Sequence, residues 1–219
     1  IWNVPQPANT LQAEHIAAGN DRSQPFVYVQ GTTSQADNDQ DVFVIQLGKE
    51  AGNRLWNTEI TSNDTPFPGQ ERTGGIGVGP RGILRVAVSS DGFDLSSGGV
   101  FVQDAPSQPS RHGYLLFLDP NDGKLLNDRL LGVSTEQRGV METYNLDIDY
   151  AGNTYVAIGF TGSFSFRGVI QQGREDAAVV VVDSLGIPMR FLDSDGDANA
   201  AGFDVAAPGR DLQILVGGV

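Results

Sequence analysis

Short runs of about five to eight residues, wholly apolar or alternating with polar positions, recur along the chain between clusters of Gly, Asn, Asp and Pro. That rhythm predicts β-strands separated by tight turns, with no helical period sustained over a long segment. The predicted strands are residues 15–18, 26–31, 41–47 and 55–58, then 84–88, 100–102, 113–119 and 124–131. They continue with residues 145–149, 154–159, 176–183 and 187–192, and close with 202–206 and 213–217. One stretch, Thr10–Ala18, also spaces Leu11, Glu14 and Ala18 in a way that fits a single short helix.

The runs repeat. Ile1-Trp2-Asn3-Val4 returns as Leu55-Trp56-Asn57-Thr58, with three further runs between the two copies. Each unit holds four short strands, and units of roughly 40–60 residues built this way predict propeller blades. The expected fold class is therefore all-β: a β-propeller of four-stranded antiparallel blades, about three and a half of them present, as a fragment of a larger propeller. Blade boundaries fall near 5–60, 83–132, 142–193 and 200–219. A blade must bury both faces against its neighbours, so its inner strands should be continuously apolar, as Ala177-Ala178-Val179-Val180-Val181-Val182 is. Ala151-Gly152-Asn153, Ser90-Asp91-Gly92 and Asn121-Asp122-Gly123 supply the positive-φ positions of tight hairpins. Residues 61–82, rich in Gly and Pro, read as an exposed loop between blades, with Asn63-Asp64-Thr65 a formal glycosylation sequon.

Asp149-Tyr150-Ala151-Gly152-Asn153-Thr154-Tyr155-Val156, followed by Gly159-Phe160-Thr161-Gly162, resembles the SBBP β-propeller repeat of secreted and surface proteins. Tyr28-Val29-Gln30-Gly31-Thr32-Thr33 repeats its aromatic-Val-x-Gly-x-Thr stretch, and Asp41-Val42-Phe43-Val44 matches its companion strand. The middle unit departs from the pattern, with Gly113 in place of the Asp and Gln103-Asp104 in place of the Gly. The resemblance implies a propeller and an extracellular or cell-surface location, and it implies no activity.

Composition narrows the function classes. The 219 residues carry a formal charge of −13, which repels phosphate backbones and argues against a nucleic-acid partner. There is no cysteine, so no disulfide, zinc thiolate or cysteine nucleophile is available. Glycine, at 28 residues, is well above the ~7 % average share, which suits a turn-rich fold. No apolar run is long enough to be a transmembrane helix. A ring of about 4–8 blades needs more strands than are present, so the rest of the propeller or another chain is expected to complete it.

Candidate chemistry is sparse. Asp193, Asp195 and Asp197, in Asp193-Ser194-Asp195-Gly196-Asp197, space carboxylates around a turn as a Ca²⁺ site requires. A solvated turn between blades is the other reading, since the Gly falls at the fourth place of the loop rather than the sixth. Asp37-Asn38-Asp39-Gln40-Asp41 is similar in composition without the turn Gly. Gly77-Val78-Gly79-Pro80-Arg81-Gly82 spells G-x-G-x-x-G, but Pro80 and a following strand deny it the helix that a dinucleotide site needs. His15 and His112 read as ordinary strand-edge and loop residues. Asp147, Asp149 and Asp204 lie on the first strands of their units, where two axial acids can cleave a glycoside. Phe164, Phe166, Phe67 and Trp2 offer either an exposed sugar platform or packing between blades.

The sequence assigns no catalytic set. The expected function is a non-catalytic extracellular or cell-surface scaffold that binds a protein or carbohydrate partner. The alternatives are a propeller glycoside hydrolase or lyase using axial carboxylates, and a calcium-stabilised adhesion module.

Overall fold

A computed structural model of the chain describes residues 10–19, 26–34, 40–48, 52–62, 70–91, 95–101, 111–134, 139–167, 169–193, 204–206 and 215–217. The protein is all-β, built of antiparallel sheets that include a curled half-barrel sheet. Among the described residues the one helical element is a single 3-10 turn, Pro80–Gly82.

Strands β1 (Thr10–Ala18), β2 (Phe26–Ser34), β3 (Gln40–Gly48) and β4 (Arg54–Ser62) pair in chain order as the first sheet. Thr10–Ala18 is thus a strand and not the helix its spacing also allowed, because Phe26–Ser34 supplies its hydrogen-bond partners. The second sheet opens with β5 (Glu71–Val78) and β6 (Leu84–Ser90). Two short strands, β7 (Leu95–Ser97) and β8 (Val100–Phe101), then return to the free edge of β4. The second sheet resumes with β9 (His112–Leu118) and β10 (Leu125–Leu130), in the order β10-β9-β6-β5. The third holds β11 (Val133–Ser134), β12 (Val140–Ile148), β13 (Thr154–Phe166), β14 (Val169–Val182) and β15 (Pro188–Asp193). A two-stranded piece, β16 (Asp204–Ala206) and β17 (Leu215–Gly217), follows.

Two sequence expectations fail here. The supposed exposed loop contains β5, a largely buried strand and the true first strand of the second sheet. Consequently residues 84–88 form that sheet's second strand rather than its first. Val100–Phe101 belongs to the first sheet's edge rather than to the second sheet. Glu71-Arg72-Thr73-Gly74-Gly75-Ile76-Gly77-Val78 has weak intrinsic strand preference, and tertiary packing overrides it. Gly74 and Gly77 lie directly against Thr143, Leu146 and Ile148 of β12, so the neighbouring sheet supplies the side chains that β5 lacks.

Three shared cores join successive sheets. Val42, Val44 and Ile60 of the first meet Leu84, Val86, Val88, Tyr114 and Leu116 of the second. The opposite face of the second, through Ala87, Leu115 and Phe117, meets Val156, Ile158, Phe160, Ala178 and Val180 of the third. The far face of the third, with Tyr155, Ala157, Val179 and Val181, meets Val205 of β16. Side chains alternate across a strand, so β6, β9 and β14 must be apolar at consecutive positions to fill two cores at once. All seven residues of β6 and of β9 are buried. Phe43, Leu116 and Val180 occupy equivalent third strands of three successive sheets.

One end of the sheets carries a recurrent hairpin turn. Gly52, Gly82, Gly123, Gly152 and Gly186 all have positive φ, between 60° and 86°. In three of these turns an aspartate accepts a loop amide: Asp119 Oδ1 from Asn121 at 2.8 Å, Asp149 Oδ1 from Asn153 at 2.8 Å, and Asp183 Oδ1 from Ile187 at 2.7 Å. Close by, the buried Arg85 guanidinium donates to Thr154 and lies 5.3 Å from the Phe117 ring centroid.

Candidate functional site

The first long strand of each of the three larger sheets is interrupted at an equivalent place. In β1 the pairing with β2 skips Glu14, between Ala13↔Gly31 and His15↔Gln30. In β12 the pairing with β13 skips Tyr144, between Thr143↔Ile158 and Asn145↔Ala157. In β5 the register jumps from Thr73↔Val88 to Ile76↔Val86, with Gly74 and Gly75 in the gap. A β-bulge twists its strand and re-aims the side chain it carries. β5 packs against both β1 and β12, so the three bulges lie side by side across the sheets.

They surround one pocket of about 310 Å³, lined by Glu14, Thr32, Gln40, Arg72, Thr73, Glu142, Thr143 and Tyr144. It opens at the end of the sheets opposite the glycine hairpins. Glu14 accepts hydrogen bonds from Thr32 Oγ1 at 2.9 Å and from Thr73 Oγ1 of the next sheet. Glu142 Oε1 takes Nη1 of Arg72 at 2.8 Å and Nη1 of Arg111 at 2.5 Å, while its Oε2 accepts the Tyr144 hydroxyl at 3.2 Å. Arg111 also pairs with Asp91 at 3.1 Å. Beneath them, Ser89 Oγ lies 2.9 Å from Thr143 Oγ1 and accepts the Thr143 amide at 2.7 Å. Polar side chains of the first strands therefore stitch each sheet to the next around the pocket.

Burial, and then the charge of Glu142, pushes the Tyr144 phenol up to about 12, against the opposing pull of Arg72 and Arg111. Tyr144 is accordingly a hydrogen-bond donor at neutral pH and not a base. The carboxylates are engaged: Glu14 holds two threonine hydroxyls, and Glu142 two guanidiniums and a phenol. Within the pocket, the acceptors of Glu14 and Glu142 thus stand beside the donors of Arg72 and Tyr144.

The sequence candidates lie elsewhere. Asp149 is the turn cap described above, its Oδ2 accepting from Asn153 Nδ2 at 2.8 Å and Tyr155 at 3.2 Å. Asp147 is exposed, with Oδ1 on the Ile148 amide. Asp204 is the first residue of β16. Phe164 and Phe166 are buried among Phe160 and Phe191, so they form core packing and no platform. Phe67 and Trp2 lie outside the described residues.

His15 lies within β1, and His112 is the buried first residue of β9 rather than a loop residue. His112 stacks edgewise on Phe164, at 6.4 Å between ring centroids. The G-x-G-x-x-G segment is the β5–β6 hairpin with its 3-10 turn. Of the calcium candidates, Asp193 ends β15 by pairing with Ala178, whereas Asp195 and Asp197 lie outside the described residues, as do Asp37 and Asp39. Among the described residues no three His, Asp or Glu side chains cluster as metal ligands do.

The site residues that the sequence reading missed are Glu14, Arg72, Thr73, Glu142 and Tyr144. Their signal was present: Ala13-Glu14-His15-Ile16, Thr73-Gly74-Gly75-Ile76 and Thr143-Tyr144-Asn145-Leu146 are the same strand position in three repeats. Reading β5 as a loop removed the middle copy.

Fold and site together define an all-β protein of successive antiparallel sheets around a shared polar pocket. No family model matches the chain, and a search of curated proteins finds no match. Among the described residues no helix is long and apolar enough to cross a membrane.

Proposed function

We propose that the chain is a run of SBBP-type β-propeller blades and serves as a non-catalytic extracellular or cell-surface binding scaffold. Its ligand site is the pocket where the first strands converge. The supporting observation is the triple bulge: three successive sheets break pairing at the same position and turn toward one cavity. A propeller has this geometry, with the first strand of every blade beside the axis and the mouth of the channel facing solvent. The order of the sheets and the three cores between them fit the same reading. Engagement of both glutamates favours binding over hydrolysis, which needs one acid free to protonate a leaving group.

A glycan and peptide array probed with the labelled chain tests the function. The reading expects a retained ligand that is lost with Arg72→Ala plus Gln40→Ala and kept with Lys124→Ala at the opposite end. Binding indifferent to the pocket variant overturns the site, and turnover abolished by Glu142→Gln overturns the non-catalytic role.

A further inference from the structure

We infer that the pocket takes a single neutral sugar unit, a polyhydroxylated ring rather than an anion, a metal or a peptide. This rests on the reading of the pocket as a ligand site.

Size is the first argument. About 310 Å³ lies at the small end of the ~300–1,000 Å³ usual for small-molecule sites, which suits one ring and not a chain of residues.

The chemistry of the lining is the second. A sugar hydroxyl donates and accepts at once, so its site must place acceptors next to donors. Glu14 offers carboxylate oxygens, and Arg72 offers guanidinium N–H groups beyond the Nη1 bond to Glu142. Gln40 offers both an acceptor and a donor on one amide. Vicinal hydroxyls fit such a set because each bridges an acidic acceptor and a cationic or amide donor. Tyr144 adds an aromatic residue to the lining, a side-chain type that pairs an apolar body with a polar tip. Access is open, since the Arg72 side chain is 45 % exposed.

Charge is the third. Glu14 and Glu142 with the adjoining Asp91 set three carboxylates against the two guanidiniums of Arg72 and Arg111, in a chain of net charge −13, so the balance at the pocket disfavours phosphates and uronates. The pocket glutamates already hold hydroxyls, guanidiniums and a phenol, and among the described residues they have no third acid or histidine beside them to complete a cation site.

Saturation-transfer NMR and calorimetry with glucose, galactose, mannose, glucuronate and glucosamine test the inference on the intact chain. The expected result is saturable binding of at least one neutral hexose, weakened about tenfold or more by Arg72→Ala plus Gln40→Ala. Near-UV circular dichroism verifies that the variant is folded, and Lys124→Ala should leave binding unchanged. Absence of saturable binding by every neutral hexose overturns the inference, as does preference for glucuronate or glucosamine, or binding that survives the double variant. If a peptide from the array binds in a variant-sensitive way while sugars do not, the sugar inference falls and the binding pocket stands. If no ligand is sensitive to the variant, both fall.

Discussion

The side-chain amide of Gln30 donates to the backbone carbonyl of Ala87 at 2.8 Å, joining the first sheet to the second. Its oxygen accepts the Gly75 amide at 3.1 Å, and Gln30 is wholly buried. Gly75 and Ala87 are, with Gly74, the residues that the bulge leaves out of the β5–β6 register. One buried side chain therefore satisfies one donor and one acceptor of the backbone at the bulge. Leaving both unpaired is costly, so Gln30→Leu should destabilise the fold by about 2–4 kcal/mol in urea unfolding. A loss below about 0.5 kcal/mol would show that water takes the amide's place.

Gly75 has φ of 103°, and a Cβ there would meet the Leu146 backbone nitrogen at 2.6 Å. The clash is with main chain, which cannot swing away as a long side chain does. Gly75→Ala should destabilise by about 2 kcal/mol or more, through strain and separation of β5 from β12. Equal thermal stability of variant and parent would contradict the close approach of these two strands.

Tyr144 predicts a pH dependence. Its phenol is raised from 10.0 to about 12 in the folded chain, so between these values the unfolded state releases a proton that the native state retains. The native state then binds more protons, and stability falls as pH rises. The contribution is intact below pH 10 and is lost as pH climbs through about 12. Tyr144→Phe should flatten this part of the alkaline decline, read by chemical denaturation across the range. Tyr28 and Tyr155 are also raised, chiefly by burial, so the difference between parent and variant is the diagnostic quantity. An unchanged slope would remove Tyr144 from the account.

Asp149 and Asp147, two residues apart, differ in how much structure rests on them. Asp149 Oδ1 and Oδ2 accept from Asn153 and Tyr155, so Asp149→Ala should lower stability by about 1–2 kcal/mol. Asp147 is exposed, and Asp147→Ala should stay within about 0.5 kcal/mol. Thermal melts of both variants check the pair, and the reverse order would mean that the turn does not depend on its cap.

Much of the architecture was legible without coordinates. Residues 177–182 announce a strand buried on both faces, because only an apolar residue at every position can fill two cores at once. Asp149 with Gly152, and Asn121 through Gly123, announce hairpins, because a positive φ next to a short side-chain acceptor is a local requirement. Such features depend on a few neighbouring residues and so are written in the chain order. Two things were decided only by packing. The segment Glu71–Val78 is a strand because Thr143, Leu146 and Ile148 from another sheet cover its glycines, a condition no local propensity contains. The pocket exists because bulges at Glu14, Gly74-Gly75 and Tyr144, far apart in sequence, are brought abreast when their sheets stack. Alternation along a strand tells which residues face a core, but the distance between two strands of different sheets is set by the side chains between them. For that reason the pocket draws its acids, Glu14 and Glu142, from strand positions away from the hairpin end where Asp147 lies.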